Sequence, residues 1–247
     1  MNWPIFVISL SDDTSRRKLI SENLIGLGVE FEIIEAINGL KGLPVQYEHF
    51  IDRAATLRGF GRKMTDGEYA CALSHQKAYG IILERDLPGA IILEDDTIPA
   101  PEFKRFIETK AYNAGDLIQL DYANTYVKIF RKNPLFDAVC LRPLYCNSCR
   151  TAGYSISRRG AEYLHENSFP ITAPADWPCD ITKIDTQVVV PPLTRHPVNT
   201  IEQSSLKLER YAYQLEGRKK RARDWKRFSL SNFWRWLRRR LLSVKIA

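Results

Sequence analysis

The chain has 247 residues, of which 45% are hydrophobic and 26% charged, and its formal net charge is +7. This composition is that of an ordinary globular protein, and no run of about 18 apolar residues predicts a membrane-spanning helix. The opening MNWPIFVISL reads as a first strand and not as a signal peptide, so we expect a cytoplasmic protein. The five cysteines are an odd number in a long chain, which argues against a secreted disulfide framework.

The positive charge is concentrated in one segment of the chain. Residues 218–247 contain twelve Lys or Arg and one acid, Asp224, for a net charge of +11. Subtracting this from the total of +7 leaves −4 for residues 1–217. We therefore predict a folded domain over residues 1–210 and a basic tail over residues 211–247.

Along the predicted domain, apolar patterns typical of strands alternate with patterns typical of helices. A strand over 5–10, a helix over 16–28 and a strand over 29–37 form the opening of a nucleotide-binding α/β layer. The later elements are predicted as a helix over 66–85, a strand over 90–93, a helix over 100–110, strands over 116–123 and 187–193, and a strand followed by a helix over 151–167. This alternation predicts an α/β domain with a mostly parallel central sheet.

Acidic residues follow two of these predicted strands. Glu94, Asp95 and Asp96 come directly after the apolar run at 90–93, and Asp121 lies near the end of the strand over 116–123. Ligands of parallel sheets bind at the carboxyl ends of the strands, where these acids are expected. Residues i and i+2 of a strand share a face, so Glu94 and Asp96 should point together and Asp95 away. Two carboxylates on one face suit Mn²⁺ or Mg²⁺ bound to a phosphorylated substrate, although a helix cap or a solvated loop would use the same residues.

Several segments, in a fixed order over residues 1–205, resemble a known protein family. They are IFVISL with Arg16 and Arg17 downstream, FEIIEAING at 31–39, DGEYACALSH at 66–75, IILEDD at 91–96, TAGYSISR at 151–158 and PAD at 174–176. With these segments the chain resembles glycosyltransferase family 25, the bacterial lipooligosaccharide and lipopolysaccharide glycosyltransferases. The resemblance implies a GT-A-like fold, a UDP-sugar donor (UDP-galactose or UDP-glucose), a divalent metal and inversion at the anomeric carbon.

The resemblance also implies roles for individual residues at the donor end of the site. Asp96 would be the direct metal ligand, and Glu94 or Asp95 would hold ribose or sugar hydroxyls, with Glu94 as a possible second ligand. A late histidine, His196, would complete the metal site. Donor contacts are expected from residues beside the first two strands and from one helical histidine: Ser9, Leu10, Arg16, Arg17, Ala36, Asn38, Gly39 and His75. Asp12 stands where the family often has an arginine, so that donor contact is either lost or supplied by Arg16 or Arg17.

An inverting displacement needs a base for the acceptor hydroxyl. Asp176, in the PAD segment, is the first candidate, Asp180 is the second, and Asp121 is a further candidate that could instead bind the donor. Asp176 could also simply cap the following turn.

The basic tail has the pattern of an amphipathic helix. On a helical period, Leu230, Phe233, Trp234, Leu237, Leu241 and Val244 share one stripe, with arginines beside it. This pattern predicts a helix on an anionic membrane surface. A helix docked on the domain and a nucleic-acid-binding tail are the alternatives, and we do not expect a nucleic-acid partner.

Taken together, the sequence predicts a UDP-sugar-dependent hexosyltransferase that is peripheral on the inner face of the bacterial inner membrane and acts on a lipooligosaccharide acceptor. The rival hypotheses are a metal-dependent phosphodiesterase or nuclease that uses the same acids, and a non-catalytic basic-tailed binding protein.

Overall fold

The structure is a computed structural model that describes residues 2–196, residue 213 and residues 237–246. Twelve strands are assigned within these residues: β1 (Ile5–Ser9), β2 (Glu32–Glu35), β3 (Gly89–Glu94), β4 (Ile98–Pro99), β5 (Leu117–Gln119), β6 (Tyr126–Lys128), β7 (Asn133–Phe136), β8 (Val139–Pro143), β9 (Gly153–Ser157), β10 (Thr186–Val190), β11 (Thr194–Arg195) and β12 (Ser243–Lys245). The α-helices with both ends described are α1 (Thr14–Gly26), α2 (Arg53–Phe60), α3 (Asp66–Glu84), α4 (Glu102–Glu108) and α5 (Arg158–Ser168).

Eight of these strands form one sheet in the order β2-β1-β3-β9-β5-β10-β8-β7. Three neighbouring pairs are parallel (β1 with β2, β1 with β3, β5 with β10) and four are antiparallel. The prediction of an α/β domain around a large sheet is confirmed, but the sheet is mixed where we expected it to be mostly parallel. The difference arises because β9 inserts antiparallel between β3 and β5, and because β8 and β7 extend the sheet antiparallel beyond β10. No local sequence pattern reveals these pairings.

Helices cover both faces of this sheet. In β1, Phe6 and Ile8 pack into one core with α3 and α5, while Ile5 and Val7 pack into a second core with α1 and α4. Continuous apolar runs are expected for strands that are buried on both faces. The core therefore lies on both sides of β1 and β3, and it fixes the ends of these strands at one edge of the sheet.

Helix α3 is held firmly at its N-terminus. Thr65 accepts a hydrogen bond from the Glu68 N–H at 3.1 Å, and Glu68 accepts one from the Thr65 N–H at 3.0 Å, which is a capping box. Arg62 pairs with the buried Glu68 carboxylate through two bonds of 2.7 and 2.8 Å. This double anchoring fixes the register of the side chains that α3 directs toward the sheet.

The tail differs in part from its prediction. Residues 237–242 are helical, but Ser243–Lys245 forms strand β12, which pairs antiparallel with β6. Val244, placed on the helical stripe from sequence, therefore lies in a strand, and Ile246 packs against the core of the domain. The rest of the predicted stripe, Leu230, Phe233 and Trp234, lies outside the described residues, as does the predicted domain boundary near residue 210.

Among the described residues, no helix is both long and apolar enough to cross a bilayer.

Candidate functional site

A cleft of about 550 Å³ lies at the carboxyl ends of β1 and β3. Eleven residues predicted from sequence as site residues line this cleft: Ser9, Leu10, Arg16, Ala36, Gly39, His75, Glu94, Asp95, Asp96, Asp176 and His196. Four others, Arg17, Asn38, Asp121 and Asp180, do not line it. The edge of the sheet thus brings together most of the predicted set.

The three consecutive acids face the cleft together. Strand β3 ends at Glu94, and Asp95 and Asp96 form a turn, so the alternation of a strand does not continue through them. The expectation that Asp95 points away from the other two is therefore wrong. The Asp95 N–H donates to the carbonyl of Ile8 at 3.2 Å, which ties this turn to the end of β1.

Asp96 and His196 form the centre of the carboxylate cluster. Strand β11 pairs with β4, and this pairing places His196 Nε2 3.0 Å from Asp96 Oδ2. Burial opposes ionisation of Asp96, but the hydrogen bond and charge of His196 outweigh it and hold the pKa of Asp96 below its usual value. The pKa of Asp95 is raised to about 6, chiefly because of burial, with the charge of Asp96 adding to the effect.

The donor atoms at this centre fit a divalent metal ion. The buried Asp96 Oδ1 has no hydrogen-bond partner among the described residues. A buried, unsatisfied carboxylate oxygen costs free energy unless a cation or a water occupies it. With the adjacent imidazole of His196, it offers the oxygen and nitrogen ligands that suit Mn²⁺.

Arg16 brings positive charge to the same cluster. Its Nη1 lies 3.5 Å from Asp96 Oδ2 and 3.7 Å from Asp95 Oδ1, and its backbone N–H donates to Asp13, the N-cap of α1. Arg17 instead donates to Glu35 at 3.0 Å and to the Ser9 carbonyl at 3.2 Å, which joins β1 to β2. Arg16 is therefore the arginine placed to meet an anionic ligand.

Two loop contacts explain why Asn38 is not in the lining while Gly39 is. The Asn38 side chain bonds Asp12 at 3.3 Å and accepts from the Leu40 N–H at 3.0 Å, so it is used to shape the loop. A Cβ on Gly39 would lie 2.5 Å from the Asp66 carbonyl oxygen and 2.7 Å from the Ala70 Cβ. Only glycine lets this loop pack so closely against α3.

His75 connects the cleft to a chain of buried hydroxyl groups. Its Nε2 lies 3.3 Å from Glu94 Oε1, and its Nδ1 lies 2.8 Å from the Tyr154 hydroxyl, which in turn lies 2.9 Å from the Tyr79 hydroxyl. Thr151 also donates to Glu94 Oε1, at 3.0 Å. Glu94 is thus oriented by His75 and Thr151 and not by the Asp96–His196 pair, so its predicted role as a second metal ligand there gains no support from the geometry.

Ligand atoms of Cys71, His75 and Glu94 lie within 4.8 Å of one another, so these residues form a second group that could hold a cation. Cys71, one helical turn before His75, was not predicted as a site residue, because only the placement of β3 beside α3 brings it near Glu94.

The opposite wall of the cleft centres on Arg150, a residue that sequence analysis missed. Its backbone has a left-handed φ of +78°, and its N–H donates to Asp176 Oδ1 at 3.0 Å. Its guanidinium donates to the buried carboxylate of Asp121 at 3.2 Å. Asp121 therefore acts on the cleft through Arg150, and burial raises its pKa although Arg150 opposes the shift. No pattern in the sequence marks an arginine that is brought to the site by such a turn.

The two other candidate bases differ in position. Asp176 lines the cleft and is followed by Trp177, which is buried and packs edge-on against Tyr154 with 5.2 Å between the ring centroids. Asp180 accepts from the Thr182 N–H at 3.0 Å and caps the short 3₁₀-helix Ile181–Lys183. The geometry therefore favours Asp176, and the assignment of Asp180 as a catalytic residue is not supported because its carboxylate serves as a cap outside the cleft.

Comparison with known proteins identifies the family. The sequence profile of glycosyltransferase family 25, described as an LPS biosynthesis protein family, matches residues 2–179. The chain belongs to glycosyltransferase family 25. The resemblance inferred from the sequence motifs is thereby confirmed.

Individual relatives of this family 25 chain come from bacteria and vertebrates. A putative glycosyltransferase of Haemophilus influenzae is 30% identical over 65% of this chain and 56% of its own length. The lipooligosaccharide biosynthesis protein lic2B of Haemophilus influenzae is 26% identical over 68% of this chain and 64% of its own. Procollagen galactosyltransferase 1-B of Xenopus laevis is 29% identical over 65% of this chain and 27% of its own. The chain thus spans between about a quarter and two thirds of the length of these relatives.

Proposed function

We propose that this family 25 chain is an inverting, metal-dependent hexosyltransferase that moves galactose, or else glucose, from a UDP-sugar to a lipooligosaccharide acceptor. The observation that carries the proposal is the cleft in which Asp96, His196 and Arg16 meet at the ends of β1 and β3. Membership of the family and the names of the bacterial and galactosyltransferase relatives support the transfer of a sugar over the rival nuclease and binding-protein hypotheses.

The donor half of the proposed GT-A-like site is the wall made by β1, β2 and the turn after β3. The uracil and ribose would lie beside Ala36 and Gly39, and the hydroxyls of the donor would meet Glu94, which His75 and Thr151 hold in place. Arg16 is suited to the diphosphate, because a guanidinium binds phosphate oxygens through paired hydrogen bonds.

A divalent ion, Mn²⁺ or Mg²⁺, would be held by Asp96 and His196. Bound there, it would act as a Lewis acid and stabilise the negative charge of the departing diphosphate. Asp96 suits this role because its pKa lies below its usual value and its carboxylate is ionised at neutral pH, and His196 would bind the ion as the neutral imidazole.

The acceptor half is the wall that carries Asp176 and Arg150. In an inverting displacement, the acceptor oxygen attacks the anomeric carbon while a carboxylate takes its proton. Asp176 would be this base, with Oδ1 bonded to the Arg150 N–H and so fixed in position. We further propose that the protein acts at the cytoplasmic face of the inner membrane, where basic residues of the tail attract anionic lipid.

A donor-consumption assay with UDP-galactose, UDP-glucose, a CMP-sugar and a GDP-sugar, each with Mn²⁺ or with EDTA, tests the proposal. We expect a UDP-hexose to be consumed only with the metal, and Asp96→Asn to reduce turnover by about 100-fold or more. Asp180→Asn is the matched control, because its carboxylate lies outside the cleft, and it should keep near-normal turnover. Full turnover in EDTA, or consumption of the CMP- or GDP-sugar alone, would contradict the proposal.

A further inference from the structure

Exposed apolar and basic side chains form a patch at the β6–β12 ribbon and the turn beside it. Five large apolar residues are exposed in it: Ile129, Phe130, Leu241, Leu242 and Val244. They come from two segments that are distant in sequence, the turn after β6 and the end of the described chain. We name this surface the ribbon patch.

Backbone pairing shows that the two segments form one surface. Ser243 pairs with Lys128 and Lys245 with Tyr126, and the Ile129 N–H donates to the Leu242 carbonyl at 3.2 Å. The Arg239 guanidinium lies over the Tyr126 ring at 4.7 Å from its centroid. The exposed turn of the domain and the basic residues of the tail are therefore immediate neighbours.

The turn that carries Phe130 is held in place by a side chain of the neighbouring strand β8. Arg142, on β8, donates to the carbonyls of Lys128 and Ile129 at 3.0 and 3.1 Å. Phe130 is nevertheless 86% exposed, the highest value among the large hydrophobic side chains of the described residues. A fixed turn that presents a large aromatic ring to solvent resembles an insertion element more than a loosely packed loop.

The charge of the ribbon patch has a single sign. Residues 126–134 and 237–246 together contain seven cations, which are Lys128, Arg131, Lys132, Arg238, Arg239, Arg240 and Lys245, and no acid. An interface between two copies of this patch would bring these like charges together, which is costly. An anionic bilayer instead complements the charge and accepts the apolar side chains into its interfacial region.

We propose that the ribbon patch is a membrane-docking surface, in which Phe130 and its apolar neighbours enter the headgroup region of an anionic bilayer while the flanking arginines and lysines bind lipid phosphates. The surface goes beyond the predicted tail helix, because the domain itself contributes the turn at 129–132. The inference rests on the proposed function only in the purpose that it gives the ribbon patch, which is to hold the enzyme at a lipid-anchored acceptor.

The patch also has a structural connection to the acceptor wall of the cleft. Residues 121–150 leave the cleft region at Asp121 and return at Arg150, and the two ends are joined by the Arg150–Asp121 ion pair at 3.2 Å. The β6 strand and the exposed turn belong to this excursion. A membrane that binds the turn would therefore bind the part of the protein that ends at Arg150, whose N–H donates to Asp176.

Co-sedimentation of the full chain with vesicles of phosphatidylcholine, with and without 30% phosphatidylglycerol, tests the proposal without donor or acceptor. We expect binding to the anionic vesicles, and Phe130→Asp to weaken it by about tenfold. Val45→Asp is the matched control, because Val45 is 83% exposed in a different part of the surface, and its binding should change less than about twofold.

A second pair of variants tests the charges. Arg131→Gln with Lys132→Gln should weaken binding to the anionic vesicles by about tenfold or more, whereas Lys18→Gln with Lys104→Gln removes the same charge elsewhere and should have little effect. All variants should keep their activity on a small detached acceptor, because none of these residues lines the cleft. Phe130→Ser provides a milder variant if the aspartate lowers stability.

Three results would overturn the proposal. The first is that both patch variants bind anionic vesicles as well as the wild type. The second is that neutral vesicles bind as tightly as anionic ones. The third is that the protein is a dimer in light scattering that Phe130→Asp converts to a monomer, without any binding to vesicles, which would assign the patch to a second copy of the chain. If the wild-type chain bound anionic vesicles but transferred no sugar, that result would count against the proposed function alone.

Discussion

At the scale of single residues, the cleft separates two groups of polar side chains with different tasks. Asp96, His196 and Arg16 form a charged group whose contacts within the described part of the chain leave Asp96 Oδ1 unsatisfied. Asp176 and Arg150 form a second group, in which the carboxylate fixes the backbone of an arginine that has a left-handed conformation. This double use of Asp176 means that its removal has both a chemical and a structural effect, and a suitable pair of variants can separate them.

Asp176→Asn should lower turnover by about 100-fold or more while the dissociation constant of UDP changes little, because the asparagine oxygen still accepts from the Arg150 N–H but the side chain no longer takes a proton. Asp176→Ala should in addition weaken acceptor binding, since Arg150 loses its anchor. Steady-state kinetics and calorimetry with UDP measure the two effects, with Asp180→Asn as the control. Near-normal turnover of Asp176→Asn would assign the base to another residue.

The hydrogen bonds that link His75, Tyr154 and Tyr79 give a second prediction at this scale. Tyr154→Phe removes the hydroxyl that bonds both His75 and Tyr79, and a buried polar group left without its partner costs about 1–3 kcal/mol. We expect this loss in the free energy of unfolding, together with a higher KM for the donor because Glu94 loses a positioned partner. Tyr79→Phe keeps the bond between Tyr154 and His75, so its effect on KM should be smaller. Equal KM values in the two variants would argue that these hydrogen bonds do not position Glu94.

At the scale of elements, the sequence predicted local structure well and long-range arrangement less well. The helix over 66–85 and the strand over 90–93 appear as Asp66–Glu84 and Gly89–Glu94, because the spacing of apolar residues depends only on neighbours along the chain. The antiparallel insertion of β9 between β3 and β5 depends on which strands meet in space, so it could not be read from that spacing. The same reason explains why Arg150 and Cys71 were missed. Asp96 was predicted from its place after a strand, and His75 was predicted from the family resemblance.

The loop after β2 packs closely against α3, and this contact leads to a prediction about the stability of the domain. Gly39→Ala should lower the free energy of unfolding by about 1–3 kcal/mol, because its Cβ would collide with the backbone of Asp66 and with Ala70. Gly59→Ala, in α2, meets no atom within 4 Å and should be neutral or stabilising. Urea unfolding of both variants measures the difference, and equal stability would show that α3 can shift to accept the extra methyl group.

At the scale of the whole molecule, strand β12 joins the end of the described chain to the domain. It adds a second strand to β6, and Ile246 packs against the core that also contains Tyr154 and Trp177. Part of the tail therefore belongs to the folded body, but as a strand and not as the docked helix of the alternative prediction. A deletion of residues 218–247, which from sequence should leave a folded domain, would also remove this strand.

Ile246→Ala should lower the free energy of unfolding by about 1–2 kcal/mol, since the side chain is only partly buried and a fully buried isoleucine would lose about 2–5 kcal/mol. Val244→Ala, two residues earlier, should change it by less than about 0.5 kcal/mol, because the Val244 side chain is 39% exposed. Urea unfolding again measures both variants. A neutral Ile246→Ala would mean that β12 contributes little to the stability of the domain.

The position of Trp177 has a practical consequence for work on this enzyme. The residue follows Asp176 directly, packs against Tyr154, and has a buried indole nitrogen without a hydrogen-bond partner among the described residues. The emission of an indole responds to the polarity and charge around it, and the residue next to Trp177, Asp176, lines the cleft. Trp3, the other described tryptophan, packs with Tyr112 in the core on the opposite face of the sheet. The difference in fluorescence between the wild type and Trp177→Phe therefore provides an internal optical signal for following ligands as they enter the cleft.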